Sequence, residues 1–110
     1  MIVLPASPLA GDYAMSATPE IALEATTRLR AGTVRIAKGR RSPEAGMRTS
    51  GLHEVGHVIR GRLLIETAER RYEVAAGDSL VMCPAELHST TALEDSEIFF
   101  VLLDPQRASA

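Results

Sequence analysis

Four short β-prone runs set the limits on how this chain can fold. They are RLRAGTVRIAK, EVGHVIRGRLLIET, RRYEVAAGDSLVMCP and SEIFFVLLD, and glycine, proline and charged turns divide them. Short strands with turn signals at intervals of roughly eight to twelve residues mark an all-β sandwich or barrel. Phe99, Phe100, Val101, Leu102 and Leu103 form a continuous apolar run, which predicts a strand buried on both faces. Before Thr27 the texture differs. Residues 1–25 include Gly11 and three prolines and read as a loose N-terminal arm. A short helix over Pro19 to Glu24 is expected within it, because proline is well placed at a helix start. The predicted organisation is an arm over residues 1–25, a barrel over 26–105 and a short tail over 106–110.

Composition narrows the function classes. A length of 110 residues is one domain with one core. The single cysteine, Cys83, rules out an intramolecular disulfide framework and a multi-cysteine zinc site. No apolar run approaches the roughly eighteen residues of a membrane-spanning helix, so no membrane partner is expected. The start, MIVLPASPLAGDYAM, has no basic segment, and Pro5 and Pro8 interrupt its apolar stretch. It makes a poor signal peptide, so a cytoplasmic location is the expectation. With two tyrosines, two phenylalanines and no tryptophan, the chain lacks a base-stacking platform. Arginines 40, 41, 48, 60, 62, 70 and 71 are interleaved with acidic residues, which reads as a solvated surface rather than a phosphate-binding face. No nucleic-acid partner is expected either.

His53-Glu54-Val55-Gly56-His57 matches the H-E-x-x-H pattern of zinc peptidases. That chemistry needs a helix, on which the two histidines stand one turn apart and the glutamate activates a metal-bound water. Leu52, Val55, Ile59 and Leu63 recur at helical spacing. A strand fits the segment equally, with Val55, His57 and Ile59 on one face and Glu54, Gly56 and Val58 on the other. Three β-branched residues and two glycines favour the strand. The β-rich context agrees. The extended form of the motif would need Gly and His where Arg60 and Leu63 stand, and Glu73 lies in a strand-like run, so no further ligand follows. The peptidase reading is rejected.

Other residues carry a resemblance. Glu54 begins an apolar strand that ends at a turn at Gly61; ERRYEVAAGD leads to Gly77-Asp78; and His88 follows eleven residues after Gly77. In this order and spacing, from about Thr33 to Leu103, the chain resembles the cupin superfamily, in particular its small single-domain cupin 2-like members. The resemblance implies a jelly-roll barrel. Local chemistry points the same way. Gly61 and Gly77 sit where strands must turn, Asp78 can hydrogen-bond its own turn, and Pro84 ends the strand in which Leu80 and Met82 share a face opposite Val81 and Cys83.

The departures bear on function. The family carries a His-x-His pair shortly before the glutamate, but those positions hold Arg48 and Ser50, or Met47 and Thr49. Cys83, Ala85 and Ala92 replace the family's Pro, Gly and Asn. The usual site of three histidines and one glutamate is thereby reduced to Glu54 and His88. A divalent metal (Fe, Mn, Ni or Zn) could then be held by His53, Glu54 and His88, provided that His53 joins through a bulge or from the preceding loop. Without a metal, Arg48, Glu54 and His88 would orient a polar or anionic small molecule. A carboxylate facing a barrel interior needs a partner, so Glu54 is expected near His88 or Arg48. His57 is expected in the core or an interface, and Cys83 as a small buried hydrophobe.

Three functions remain open: the resemblance implies a small-molecule catalyst of isomerase or oxygenase type, here with an incomplete metal site; the alternatives are a metal-free ligand-binding or sensing cupin and a structural dimeric module. A homodimer is expected, with the arm against its partner, because Ile2, Val3, Leu4, Leu9, Tyr13, Met15, Ile21 and Leu23 carry more apolar surface than a solvated tail.

Overall fold

The structure is a computed structural model that describes residues 9–24 and 27–105. Ten strands form among them: β1 (Tyr13–Ala17), β2 (Ile21–Glu24), β3 (Thr27–Ile36), β4 (Arg41–Ser42), β5 (His53–Arg60), β6 (Arg62–Thr67), β7 (Arg71–Ala75), β8 (Ser79–Met82), β9 (His88–Ala92) and β10 (Ser96–Pro105). They make two antiparallel sheets. One runs β1-β3-β10-β5-β8 with β2 also against β3; the other runs β4-β9-β6-β7. This is the cupin jelly roll. No helix among the described residues is long and apolar enough to cross a membrane.

Alternation along each strand decides what lies between the sheets. On β5 the inward set is Glu54, Gly56 and Val58, while His53, Val55, His57 and Ile59 are exposed. Val58, Leu63, Ile65, Ile36 and Ala92 build the core, with Tyr13, Val34, Val74, Leu80 and Ile98 packed against it. Each large aliphatic side chain taken fully from water contributes about 1.5–3 kcal/mol. The core therefore closes the Val58 end of the barrel. Further along β5 and β10 the packing opens towards Glu54 and Leu102, where the cavities lie.

Two glycines make this packing possible. Phe100 on β10 faces Gly32 on β3 and Gly56 on β5 in the register. A Cβ on Gly32 would come within 2.7 Å of the Phe100 ring, so the missing side chain is what lets the ring lie flat in the interior. Gly61 joins β5 to β6 at φ +91°, and a Cβ there would lie 2.5 Å from the Asp95 carbonyl. Close by, the fully buried Ser96 accepts from the Arg62 amide (3.1 Å) and donates to the Glu94 carbonyl (2.8 Å).

Three expectations are corrected. The arm is not loose over the described residues: β1 pairs with β3 from Tyr13↔Ile36 to Ala17↔Gly32, and Ile21 of β2 pairs with Leu29. The sheet thus extends to Tyr13, and β2 replaces the short helix expected there. So brief a helix is marginal alone, whereas the open edge of β3 offers its backbone partners at once. Ile2, Val3, Leu4 and the tail over 106–110 lie outside the described residues. The third correction is β10. Phe100 is buried, but Phe99 is 43% exposed. The second sheet covers only the inner face of the first, so Phe99 stays in the open on the same outer face as Val55 and Val81.

Candidate ligand-binding site

The site forms where a loop, a strand start and a strand interior meet. Arg48 and His88 are clasped by two backbone hydrogen bonds, from Arg48 N to His88 O (3.0 Å) and from His88 N to Arg48 O (2.9 Å). The clasp fixes both residues on one rim. The loop that follows is tied down by its own hydroxyls: Thr49 Oγ1 donates to the Pro84 carbonyl at 2.7 Å, and Leu52 N donates to Ser50 Oγ at 3.2 Å. The chain then enters β5, and the first inward residue is Glu54, opposite Met82 and Leu102.

Arg48, Glu54 and His88 line the same cavity of about 90 Å³. Its floor and walls are apolar: Val34, Ile36, Ile65, Leu80, Met82, Ile98 and Phe100, with Ser42 and Thr90 adding hydroxyls. The same three polar residues, with Val34 and Phe100, also line a wider mouth of about 320 Å³ reaching Met15, Thr49, Ser50 and Leu102. The sequence does not mark Ser42 or Thr90, and it marks Met15 only as part of the apolar arm. Thr90 follows from His88 by strand alternation, but Met15 depends on β1 joining the sheet.

The three polar groups converge without bonding one another. Among the described residues Glu54 makes no side-chain hydrogen bond or ion pair, and it is half-buried. Burial pushes its carboxyl above the ordinary value of 4.5, while the charges of His88 and Arg48 pull part of the way back. Arg48 donates from one guanidinium nitrogen to Ser42 Oγ (3.0 Å), which holds the group over the mouth. Some arginines elsewhere are paired, such as Arg62 with Glu73 (2.8 Å) and Arg71 with Glu66 (3.2 Å); no carboxylate of the described residues pairs with Arg48. His88 places Nδ1 3.3 Å from the Glu86 carbonyl. A carbonyl can only accept, so Nδ1 is the donor in this contact.

His53 is not brought to this site. It is exposed on the opposite face of β5, and the one irregularity between β5 and β10 falls at Glu97/Ile98, far from it. No bulge turns it inward. Among the described residues no group of three or more His, Cys, Asp and Glu side chains is placed to hold a metal. Glu54 and His88 supply two donors, and Arg48 lines the same cavity. A guanidinium has no lone pair to give, and its charge opposes a cation. These residues do not fit a resident divalent ion.

The peptidase pattern fails for a related reason. On a strand, residues four apart share a face but stand about 13 Å from each other, too far for His53 and His57 to share one metal. His57 is also not a core residue: it is exposed, and its Nδ1 lies 2.9 Å from Ser79 Oγ. Cys83 is exposed too, because alternation gives the inward place to Met82.

The chain matches the family described as the AraC-like ligand binding domain over residues 30–109. Comparison with curated proteins finds no match. Among solved structures, the chain is similar to the conserved protein SPY1581 of unknown function from Streptococcus pyogenes, with 19% identity, TM-score 0.66 and coverage of 91% of this chain and 82% of that one. KdgF from Halomonas sp. is similar at 20% identity and TM-score 0.64, covering 92% of this chain and 86% of that one. The Cnp3 cupin domain of Schizosaccharomyces pombe shares 11% identity at TM-score 0.70, covering 91% of this chain and 69% of that one. At such identities the likeness to these structures is one of fold. The match over residues 30–109 goes further: the chain belongs to the AraC-like ligand binding domain family, built on a cupin barrel.

Proposed function

We propose that this protein binds a small molecule inside its barrel without a resident metal, as a binding or sensing module. The ligand's polar end meets Arg48, Glu54 and His88, and its apolar body lies against Leu80, Ile98 and Phe100. One observation carries the reading. Glu54 is half-buried in an apolar cavity with no hydrogen-bonding partner among the described residues. Such a carboxyl costs folding free energy unless its bonding capacity is used by something else, and perturbed, under-satisfied groups in clefts concentrate at functional sites. The family's description as ligand-binding supports the same reading. A metal-assisted catalyst is less well supported, because two donors beside a guanidinium lack most of the binding free energy of a closed site.

The test uses protein dialysed against a chelator and verified metal-free by elemental mass spectrometry. A set of fragment-sized acids, amines and polyols is then screened by thermal shift. The expectation is that some fragments stabilise the metal-free protein, and that the same fragments lose their effect on Arg48→Ala and His88→Ala variants. Stabilisation that appears only after adding zinc, manganese, nickel or iron would reject the metal-free reading.

A further inference from the structure

The charges at the cavity mouth narrow the ligand class, provided that the pocket is the binding site proposed above. Arg48 is a cation with no carboxylate paired to it among the described residues. Glu54 is a carboxyl on the same cavity, also unpaired. Glu54 feels the Arg48 charge, yet no hydrogen bond or ion pair joins the two side chains. His88 lines the same cavity. A ligand that satisfies both charged groups must present an anion to Arg48 and a hydrogen-bond donor, preferably cationic, to Glu54. A simple carboxylate meets Arg48 but leaves Glu54 facing another anion. A simple amine does the reverse.

We infer that the pocket binds a zwitterion, an α-amino acid with an apolar side chain: the carboxylate on Arg48, the ammonium on Glu54, and the side chain in the inner cavity. Guanidinium and carboxylate pair through two parallel hydrogen bonds, a geometry that the Ser42 contact prepares by fixing the guanidinium on the rim. The inner cavity of about 90 Å³ has room for roughly six water-sized atoms at about 15 Å³ each. That admits the side chain of leucine or methionine. Its lining by Ile36, Ile65, Leu80, Met82, Ile98 and Phe100 suits such a side chain and offers nothing to a polyol's inner hydroxyls beyond Ser42 and Thr90.

Calorimetric titration of the full chain tests the assignment with matched probes. These are L-leucine and L-methionine, 4-methylpentanoate (leucine without the ammonium), 3-methylbutylamine (leucine without the carboxylate) and the neutral diol 1,2-butanediol. The expected result is that one of the amino acids binds, with both single-charge analogues at least tenfold weaker. Glu54→Gln should weaken the amino acid at least tenfold while leaving 4-methylpentanoate unchanged or tighter, and Arg48→Gln should weaken both acids. Equal binding of 4-methylpentanoate and L-leucine would overturn the zwitterion, as would no binding of either amino acid. The location of the pocket is judged separately, from backbone amide shifts. If the diol or 4-methylpentanoate perturbs Glu54, His88 and Phe100 while the amino acids do not bind, only the ligand class fails. If shifts fall on the outer face around Val55 and Val81, the pocket reading fails with it.

Discussion

Replacing Glu54 with glutamine isolates the free-energy cost built into the site. The side chain keeps its shape but can no longer ionise. In the wild type, burial raises the carboxyl pKa above 4.5, and the attraction of His88 and Arg48 offsets only part of that rise. Between the unfolded and folded pKa values, the folded protein binds more protons than the unfolded chain, so stability falls as pH rises through that window. The penalty is complete above the folded pKa and disappears below the unfolded value. An unpartnered polar group buried in a protein costs about 1–3 kcal/mol. Glu54 borders an open mouth, so solvent screening brings the figure to the lower end, about 1 kcal/mol. For a domain of this size that corresponds to a melting temperature higher by about 4–8 °C. Differential scanning calorimetry of wild type and Glu54→Gln from pH 7 to pH 4 is the assay. The variant should be more stable at pH 7, and the gap should close as the solution is acidified. A variant less stable than wild type at pH 7, or a gap independent of pH, would show that Glu54 is satisfied by the protein.

Two further outcomes test the scaffold around it. Gly61→Ala places a methyl group against Ser96 and the Asp95 carbonyl at φ +91°, so it should cost more than about 1 kcal/mol in urea unfolding; a neutral effect would mean that the β5–β6 turn is drawn wrongly. His57→Ala removes an exposed ring bonded only to Ser79, so its stability should stay within about 0.5 kcal/mol of wild type, and a loss above about 2 kcal/mol would return His57 to a core or interface.

Much of the barrel is legible in the sequence because its signals are local. Alternation from Glu54 to Val58, the turn at Gly61 and the Gly77-Asp78 corner each follow from neighbouring residues, and the separation of inward Met82 from outward Cys83 follows from period two. What alternation cannot say is how well each face is covered. Val55, His57, Val81 and Phe99 look like core by composition, yet they lie on the sheet face that the second sheet does not reach. The N-terminal residues mislead for a different reason. Pro19 and the short Ile21–Leu23 segment carry a helix-start signal, but the β3 edge that captures them is a partner brought there by the fold. The site is split in the same way. Glu54 and His88 stand out by motif and spacing, whereas the role of Arg48 depends on its backbone clasp with His88, forty residues further on.

The account rests on a ligand entering between the sheets at Glu54, and residue-resolved NMR tests that most directly. Isotope-labelled, metal-free protein is titrated with any fragment that stabilises it, and amide and side-chain shifts are followed residue by residue. The predicted result is a saturable set of changes centred on Val34, Arg48, Glu54, His88 and Phe100, with the outer-face residues Val55, Val81 and Phe99 changing little. Saturable changes centred on that outer face, with the cavity residues unmoved, would contradict it.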